Sequence, residues 1–427
     1  MDTLDRTGRP EAGIDAGDLV REDRIHRGVY SHPEVFDLEM RRIFNRTWVF
    51  VGHESEVTNT GDFKASYIGT QPVILTKDEN GEIRVLVNRC PHRGSIVCRE
   101  AKGNSNFFRC PYHGWTFKNT GDLVGVPRRK RYPEDFDLSE LNLQQVPRVE
   151  NYRGLVFASF NPEIEGLVGY LAQAKPYVDA FLDLSVEGEI SLSAGANQHE
   201  YPGNWKFQME NGVDGYHAMF LHDSFFKIQA RSQDRVHARI ASRDEGKGWT
   251  EAFSNGHAIL AREAGDKTID ELKSAHPEYF ARLEEKHGPE RFRELMAQMN
   301  IFIFPNLYLI LNQVRVIRPV SPTKTVVNMY PVMLNGAPEE LNEQRLREHE
   351  EGFSAAGFVG PDDYEAFACV QEGLKAESVE WLVLLRGIHD EKVLENGSRW
   401  GQPSDETPQR GQYREWRRLM TMDGEAK

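Results

Sequence analysis

The 427-residue chain lacks any apolar run that approaches the roughly 18 residues needed to span a bilayer. It also lacks an excess of positive charge. Its formal net charge is -14, and no basic stripe stands out, which argues against nucleic acid or an anionic membrane as a partner. The N-terminal segment contains acidic residues and no apolar core, so it resembles neither a secretory signal nor a transit peptide. Together these features predict a cytoplasmic protein.

Cysteine is scarce, and two of the four cysteines lie in two motifs of one short stretch, each of which combines a cysteine with a histidine. This stretch contains Cys90-Pro91-His92-Arg93-Gly94 and Cys110-Pro111-Tyr112-His113-Gly114-Trp115. Two Gly-turned loops could present two thiolates and two imidazoles either to one zinc ion or to a [2Fe-2S] cluster. Each loop supplies one Cys and one His, whereas zinc fingers place the two Cys in one pair and the two His in another. The pattern therefore favours the cluster. The remaining Cys98 and Cys369 are interpreted as ordinary thiols of a reducing compartment.

The pattern of apolar residues predicts an α+β fold with two domains. Residues 1–46 form an N-terminal arm and a helix that packs with the second domain, and residues 47–162 form a small antiparallel β domain around the two loops. Residues 163–427 form a larger domain, an antiparallel sheet covered by helices. Helices are expected from about residue 338 to 385, followed by a polar tail. The charged helical region 267–299 is interpreted as a solvated face, with a lid over a substrate channel as the alternative.

A second group of possible metal ligands lies in the larger domain, where the sequence reads D-x-x-H-x-x-x-x-H from Asp214 to His222. His217 and His222 would not share a face of a regular helix, so the helix must end or distort between them. With a distant carboxylate they could form a two-His-one-carboxylate site, which suits non-haem Fe(II) and leaves positions open for oxygen. The pair Asp362-Asp363 could supply that carboxylate. Both residues could equally be simple N-terminal partners of a helix.

In this order and spacing, these motifs closely resemble those of the large (alpha) subunits of Rieske-type aromatic ring-hydroxylating oxygenases. The resemblance implies that Cys90, His92, Cys110 and His113 hold a [2Fe-2S] cluster, with Tyr112 and Trp115 packed over it. It implies that His217, His222 and Asp363 bind a mononuclear iron, with Asp362 as the alternative to Asp363. It also implies that Asp214 bridges His217 to His113 of the partner subunit. Such a bridge requires an oligomer, which the family suggests is a homotrimer, with or without small beta subunits (α3β3).

The resemblance also implies a reaction. Electrons from NAD(P)H would arrive through a reductase or ferredoxin component, and O2 would be used to hydroxylate an aromatic substrate once or as a cis-diol. The sequence looks most similar to the branch that acts on aromatic carboxylates such as benzoate, anthranilate, salicylate or terephthalate.

A carboxylate substrate calls for a partly buried cation, and Arg315 and Arg318 are candidates. They face opposite sides of a strand, so at most one can point into the pocket. Apolar walls are expected from residues near the iron ligands: Met209, Val213, Phe220, Leu221, Phe358 and Val359.

Three other functions remain open at this level. The same iron pair could serve a ring dioxygenase for an uncharged aromatic hydrocarbon, or a Rieske O- or N-demethylase, which would release formaldehyde. A Rieske electron carrier would have no use for the Asp214–His222 motif. Seven other histidines are interpreted as surface or structural residues: His199, His237, His257, His276, His287, His349 and His389.

Overall fold

A computed structural model describes residues 15–133, 135, 137–231 and 248–422. Most of the predicted N-terminal arm, as well as His237, therefore lies outside the described residues. Within the described ranges, no helix combines the length and apolar character needed to cross a membrane.

Three small antiparallel sheets make up the first part of the chain. Every residue of Val49–His53 and Leu155–Ser159 is buried, whereas Phe107–Arg109 and Thr116–Lys118 bury only their central side chain. In spatial order the four-stranded sheet contains Ile83–Val87, Gln71–Lys77, Asp62–Ile68 and Lys102–Asn104. One three-stranded sheet contains Phe107–Arg109, Thr116–Lys118 and Leu123–Gly125. The other contains Arg148–Tyr152, Leu155–Ser159 and Val49–His53.

The second part of the chain is built on a large antiparallel sheet, in which nine strands are found among the described residues. In spatial order the strands are Asn197–Tyr201, Lys324–Pro331, Gln313–Ser321, Leu307–Ile310, Gln298–Ile303, Ala258–Arg262, Gly248–Ala252, Arg399–Gly401 and Lys392–Val393. Two short strand pairs lie apart from it: Arg24–His26 with Trp381–Val383, and Ile190–Ser191 with Met333–Leu334.

Helices cover this sheet and connect its strands. They are Gly28–Ser31, Pro33–Glu39, Leu167–Leu171, Lys175–Leu182, Trp205–Asn211, Ala218–Leu221, Asp223–Arg231, Asp266–Ala275, Pro277–His287, Pro289–Leu295, Glu339–Phe353, Gly360–Gly373 and Thr407–Thr421. The predicted α+β class, with helices packed on an antiparallel sheet, is confirmed. The domain boundaries at residues 46 and 162 stay a prediction.

The N-terminal helix is tied to the larger domain through a buried carboxylate. Glu39 accepts hydrogen bonds from Lys206 Nζ at 2.6 Å, Trp205 Nε1 at 2.8 Å and Trp416 Nε1 at 2.7 Å. The Lys206–Glu39 ion pair is fully buried, and such a pair is tolerated only when its remaining polar atoms also find partners. Three distant segments of the chain therefore meet at one residue.

The prediction of a polar tail after residue 385 is wrong. Two strands from this region extend the large sheet, and the helix Thr407–Thr421 packs into the core. Many of its side chains are charged, but Tyr413, Trp416 and Met420 recur at helical spacing and form one buried face.

The charged region 267–299 folds as three helices that cover a cavity. Their outer faces carry the exposed charges that favoured a solvated surface. Their inner stripe is buried, and Leu272, Tyr279, Phe280 and Leu295 line the cavity beneath. The exposed charges agree with a solvated outer face, and the role of the helices as a lid over a substrate channel stays a prediction.

Candidate functional site

Two loops of matching conformation carry the four candidate cluster ligands. In each loop the glycine N–H donates to the carbonyl of the ligand cysteine, Gly94 to Cys90 at 2.9 Å and Gly114 to Cys110 at 3.0 Å. Both glycines have positive φ, 74° and 73°, a conformation that glycine adopts without steric penalty. The repeated Cys-to-Gly spacing therefore produces two equivalent turns.

The arrangement of the side chains fits a [2Fe-2S] cluster better than a single ion. The Cys90 and Cys110 thiols adjoin each other and are buried, while the His92 and His113 rings lie together with centroids 4.5 Å apart. Burial and the neighbouring thiol raise the pKa of Cys90, so a bound cation is needed to hold the thiolate. His92 Nδ1 is buried and has no hydrogen-bond partner, as expected of an atom reserved for a metal.

Aromatic residues contact both imidazoles. Trp115 is buried and stacks on His92, with ring centroids 4.9 Å apart. Tyr112 packs on His113 at 3.8 Å but is 60% exposed, so it forms the outer rim of this site.

The second candidate centre forms where the helical segment breaks, as the spacing of its histidines requires. The helix Trp205–Asn211 ends, a turn follows, and His217 precedes the short helix Ala218–Leu221. His222 ends that helix with φ -100° and ψ 23°, which separates it from Asp223–Arg231. This break allows both imidazoles to face the same point.

Asp363 completes a group of three side chains that could hold one metal ion. It is buried in the first turn of Gly360–Gly373, and its Oδ1 lies 3.6 Å from His217 Nε2 and 3.3 Å from His222 Nε2. The candidate ligand atoms of the three residues all lie within 4.8 Å of one another. Two imidazoles and one carboxylate suit non-haem iron.

Each histidine of this group presents its other ring nitrogen to a further carboxylate. His217 Nδ1 lies 3.3 Å from Asp214 Oδ2, and His222 Nδ1 lies 3.3 Å from Asp362 Oδ2. Such partners orient a ligating imidazole and raise its basicity. Burial alone would lower the pKa of His217, but Asp214 and Asp363 raise it, so the site electrostatically favours a cation. Asp362 therefore contacts the Nδ1 side of the His222 ring, whereas Asp363 lies on the Nε2 side, together with the other candidate ligand atoms.

Asn211 is a site residue that the sequence did not reveal. Its Nδ2 lies 3.1 Å from His217 Nε2 and 3.2 Å from Asp363 Oδ1. It ends the helix six residues before His217, and no spacing rule connects an amide at that distance with a metal site.

A cavity of about 210 Å³ lies between the large sheet and the covering helices. Phe225, Phe353 and Val359 line it, and they follow or precede the candidate iron ligands closely in sequence. Of the six predicted wall residues, Val359 lines this cavity. Met209 and Val213 are fully buried in the core, Phe220 and Phe358 are exposed, and Leu221 is half-buried.

The two predicted arginines point to opposite sides of the strand Gln313–Ser321. The Arg318 guanidinium lies over the Tyr67 ring, 4.0 Å from its centroid, in the contact with the first domain. Arg315 is buried against Phe353, with its guanidinium 5.4 Å from that ring. It therefore lies directly behind a residue of the cavity wall.

Comparison with known proteins agrees with both centres. The Rieske [2Fe-2S] domain family matches residues 47–150, and the ring hydroxylating alpha subunit (catalytic domain) family matches residues 189–422.

Two similar proteins are dioxygenase large subunits. The chain is 36% identical to the 2-halobenzoate 1,2-dioxygenase large subunit of Burkholderia cepacia, with 85% of this chain and 80% of that protein covered. It is 35% identical to the anthranilate 1,2-dioxygenase large subunit of Acinetobacter baylyi, with 86% and 80% covered.

A solved structure shares the fold over nearly the full length of both chains. Naphthalene 1,2-dioxygenase from Rhodococcus sp., bound to indole, superposes with a TM-score of 0.79 at 28% identity, with 93% of this chain and 94% of that chain covered. Because the catalytic family covers more than half of the chain and the Rieske family covers the two-loop domain, the electron-carrier alternative is excluded. The chain belongs to the Rieske-type ring-hydroxylating oxygenases and is an alpha (large) subunit of that family.

Proposed function

We propose that this chain is the catalytic subunit of a cytoplasmic multicomponent oxygenase that hydroxylates an aromatic carboxylate. The observation that carries the substrate class is the similarity to the two large subunits named for 2-halobenzoate and anthranilate, both aromatic carboxylates. O2 would be the oxidant, and NAD(P)H would supply electrons through a reductase or ferredoxin. A single-ring acid is a reasonable occupant of a largely apolar cavity whose wall includes Phe225 and Val359, which are close in sequence to the candidate ligands His222 and Asp363.

We assign the cluster to Cys90, His92, Cys110 and His113, and the mononuclear iron to His217, His222 and Asp363. When bound, the cluster would deliver single electrons, and the ferrous ion would bring O2 and substrate together. The role of Asp214 and Asp362 would be to hold the two imidazoles in orientation through their Nδ1 atoms. Asn211, within 3.2 Å of both His217 and Asp363, would fix the relative positions of these two ligands.

The electron route would cross between subunits. Within the described part of the chain, His113 contacts the rings of His92 and Tyr112, and Asp214 contacts His217 and Tyr216 N, so none of these contacts joins His113 to Asp214. We propose that Asp214 accepts a hydrogen bond from His113 of the partner subunit. A cyclic trimer, with or without beta subunits, is a closed assembly in which the Asp214 carboxylate of each chain meets the cluster domain of one neighbour, while its own cluster domain meets the Asp214 of the other.

Exposed apolar side chains around both ends of this route support an intersubunit contact. Met219 and Phe220 are 51% and 71% exposed a few residues after Asp214, and Phe107 and Tyr112 are 52% and 60% exposed near the cluster. Exposed apolar surface of this kind usually marks a contact with another protein.

Arg315 is the proposed source of selectivity for an anionic substrate. It is 3% exposed, its Nε has no hydrogen-bond partner, and no carboxylate pairs with it among the described residues. Gln313, two residues earlier on the same strand face, is fully buried, and neither of its amide atoms has a partner. A buried guanidinium is permanently charged and costly to leave uncompensated, so a carboxylate in the adjoining cavity would be stabilised.

The test compares substrates of equal shape and different charge. Holoenzyme with a surrogate reductase is offered benzoate, anthranilate and salicylate, and in parallel the matched amides and methylbenzenes, and hydroxylated products are quantified. We expect product from at least one acid and little from its neutral counterparts. Turnover of the neutral compounds alone would assign the chain to hydrocarbon dioxygenases, and formaldehyde from an N- or O-methyl substrate would assign it to demethylases.

A further inference from the structure

The turn that carries Asp214 belongs to no helix or strand. It lies between the helices Trp205–Asn211 and Ala218–Leu221. The Asp214 N–H donates to the Asn211 carbonyl at 3.1 Å, and Asp214 Oδ1 accepts from the Tyr216 N–H at 2.7 Å. These bonds fix the shape of the turn but not its position in the molecule. The position of such a connecting segment depends on what packs against it.

The C-terminal part of the chain packs directly on this turn. A Cβ atom on Gly215 would overlap the Pro403 carbonyl oxygen, so glycine is needed where the two backbones meet. The next residue, Tyr216, lies under the Arg386 guanidinium, whose Cζ is 3.6 Å from the centre of the ring. A guanidinium at this distance is attracted to an aromatic face. Two successive residues of the turn are therefore in contact with the segment that contains residues 386–406.

Arg386 is itself fixed by hydrogen bonds. Its Nε donates to the Ser404 carbonyl and its backbone N–H donates to Glu406 Oε2, both at 2.7 Å. Its carbonyl accepts from Nη1 of Arg410 at 2.9 Å, and the Arg410 side chain is fully buried in the helix Thr407–Thr421. The guanidinium over the turn is therefore attached to a rigid part of the fold.

The same C-terminal helix also contacts the helix that precedes the turn. Gln409 Nε2 donates to the Glu210 carbonyl at 3.0 Å, and Gln412 Nε2 donates to the Met209 carbonyl at 2.9 Å. These carbonyls lie in the last turn of Trp205–Asn211, where the backbone lacks intrahelical donors. One part of the fold thus holds both the turn and the helix that leads into it.

We propose that Arg386 is a positioning residue for electron transfer, which holds the Asp214 carboxylate toward His113 of the partner subunit by stacking on Tyr216. Tyr216 transmits the effect because its N–H binds one Asp214 oxygen. This inference rests on the proposed function for the bridge itself, but it adds a residue that contacts neither set of candidate metal ligands. A displacement of about 1 Å in such a group can cost about 100-fold in rate.

The experiment measures how fast the reduced cluster is oxidised when holoenzyme meets O2 and substrate in a single turnover. The substrate is whichever of benzoate, anthranilate and salicylate gives product in the wild type, or naphthalene if none does. R386M keeps a long side chain and removes the planar charge. We expect cluster oxidation to slow by about ten-fold or more. Iron content and KM should be unchanged, with kcat reduced to match, and R386K should restore part of the rate.

Variants of Tyr216 test the same contact from the other side. Y216F keeps the ring and should oxidise the cluster at the wild-type rate, whereas Y216L removes the ring and should resemble R386M. Arg318 provides the matched control, because its guanidinium also stacks on a tyrosine, Tyr67, at 4.0 Å. R318M should therefore leave the rate unchanged.

The variant D214N separates failure of this inference from failure of the bridge. A wild-type rate in R386M, together with a slow D214N, would overturn the role of Arg386 and leave the bridge intact. Loss of iron from R386M would also overturn it, because Arg386 would then support the iron site and not the electron route. A wild-type rate in D214N would contradict the bridge, and the role of Arg386 would fail with it.

Discussion

His217 Nδ1 lies 3.3 Å from Asp214 Oδ2, while the Nε2 atom of the same ring lies 3.6 Å from Asp363 Oδ1. One imidazole therefore joins the candidate iron centre to a carboxylate that is one-third exposed at the surface. The other Asp214 oxygen accepts from Tyr216 N at 2.7 Å, which fixes the orientation of the carboxylate.

We predict that D214N keeps both metals and loses nearly all turnover, by about 100-fold or more. The amide can still accept from Tyr216 N, but it then directs its NH2 group at His217 and at the incoming His113 of the partner subunit, both of which are donors. Iron content, the visible spectrum of the cluster and steady-state rate are measured together. D390N, at an exposed site, serves as the control; wild-type turnover in D214N would rule out the bridge.

Variants of Asp362 and Asp363 should differ in their content of mononuclear iron. D363A removes a carboxylate that lies within 3.6 Å of both histidines, so we expect loss of the mononuclear iron with the cluster retained. D362A removes only the partner of His222 Nδ1 and should weaken iron binding by about 10- to 100-fold. Iron titration monitored by metal analysis distinguishes the two, and the opposite ranking would reverse the assignment.

Charge selectivity should depend on Arg315 and not on Arg318. R315Q keeps a polar side chain but removes the buried positive charge, and we expect KM for the acid substrate to rise by about ten-fold or more with little change for a neutral analogue. R318Q alters a guanidinium that contacts Tyr67, away from the cavity, and should leave KM unchanged. Equal effects of R315Q on acid and neutral compounds would show that Arg315 acts on packing alone.

Part of the loss of folding stability at acidic pH should come from His257. Burial lowers its pKa to about 4, even though Nε2 donates to the Tyr170 carbonyl at 2.8 Å, while Nδ1 accepts from Phe304 N at 3.0 Å. Between pH 6.5 and 4 the unfolded chain binds this proton and the folded chain does not, so stability falls as the pH falls through that window, by up to about 3 kcal/mol.

H257N tests this titration. The asparagine can still accept from Phe304 N but cannot be protonated, so the variant should be less stable at neutral pH and should lose less stability on acidification. Denaturant unfolding at several pH values measures both. The exposed His389 provides the control variant H389N, and a slope for H257N as steep as that of the wild type would contradict the prediction.

The sequence predicted the α+β class and the order of the two metal motifs because those features depend on local periodicity and on ligand spacing. It could not decide between Asp362 and Asp363 from the residues alone, since both sit in the first turn of one helix and only packing turns Asp363 inward. Strand alternation placed Arg315 and Arg318 on opposite faces, but which face meets the cavity depends on helices that are distant in sequence.

Other features also could not be predicted from the sequence. The last helix was mistaken for a polar tail because its apolar stripe is sparse among charged residues. Asn211 reaches the site from the end of a helix, a position that no ligand-spacing rule identifies.

The measurement that tests the central claim most directly is a single-turnover experiment on anaerobically purified, fully reduced protein, with iron and acid-labile sulfide determined on the same sample. Benzoate, anthranilate and salicylate are supplied in turn with 18O2. We predict cluster iron and sulfide together with one mononuclear iron per chain, and an 18O-labelled hydroxylated acid formed as the cluster is oxidised. Cluster oxidation without labelled acid from any of the three, in protein that contains both centres, would contradict the account.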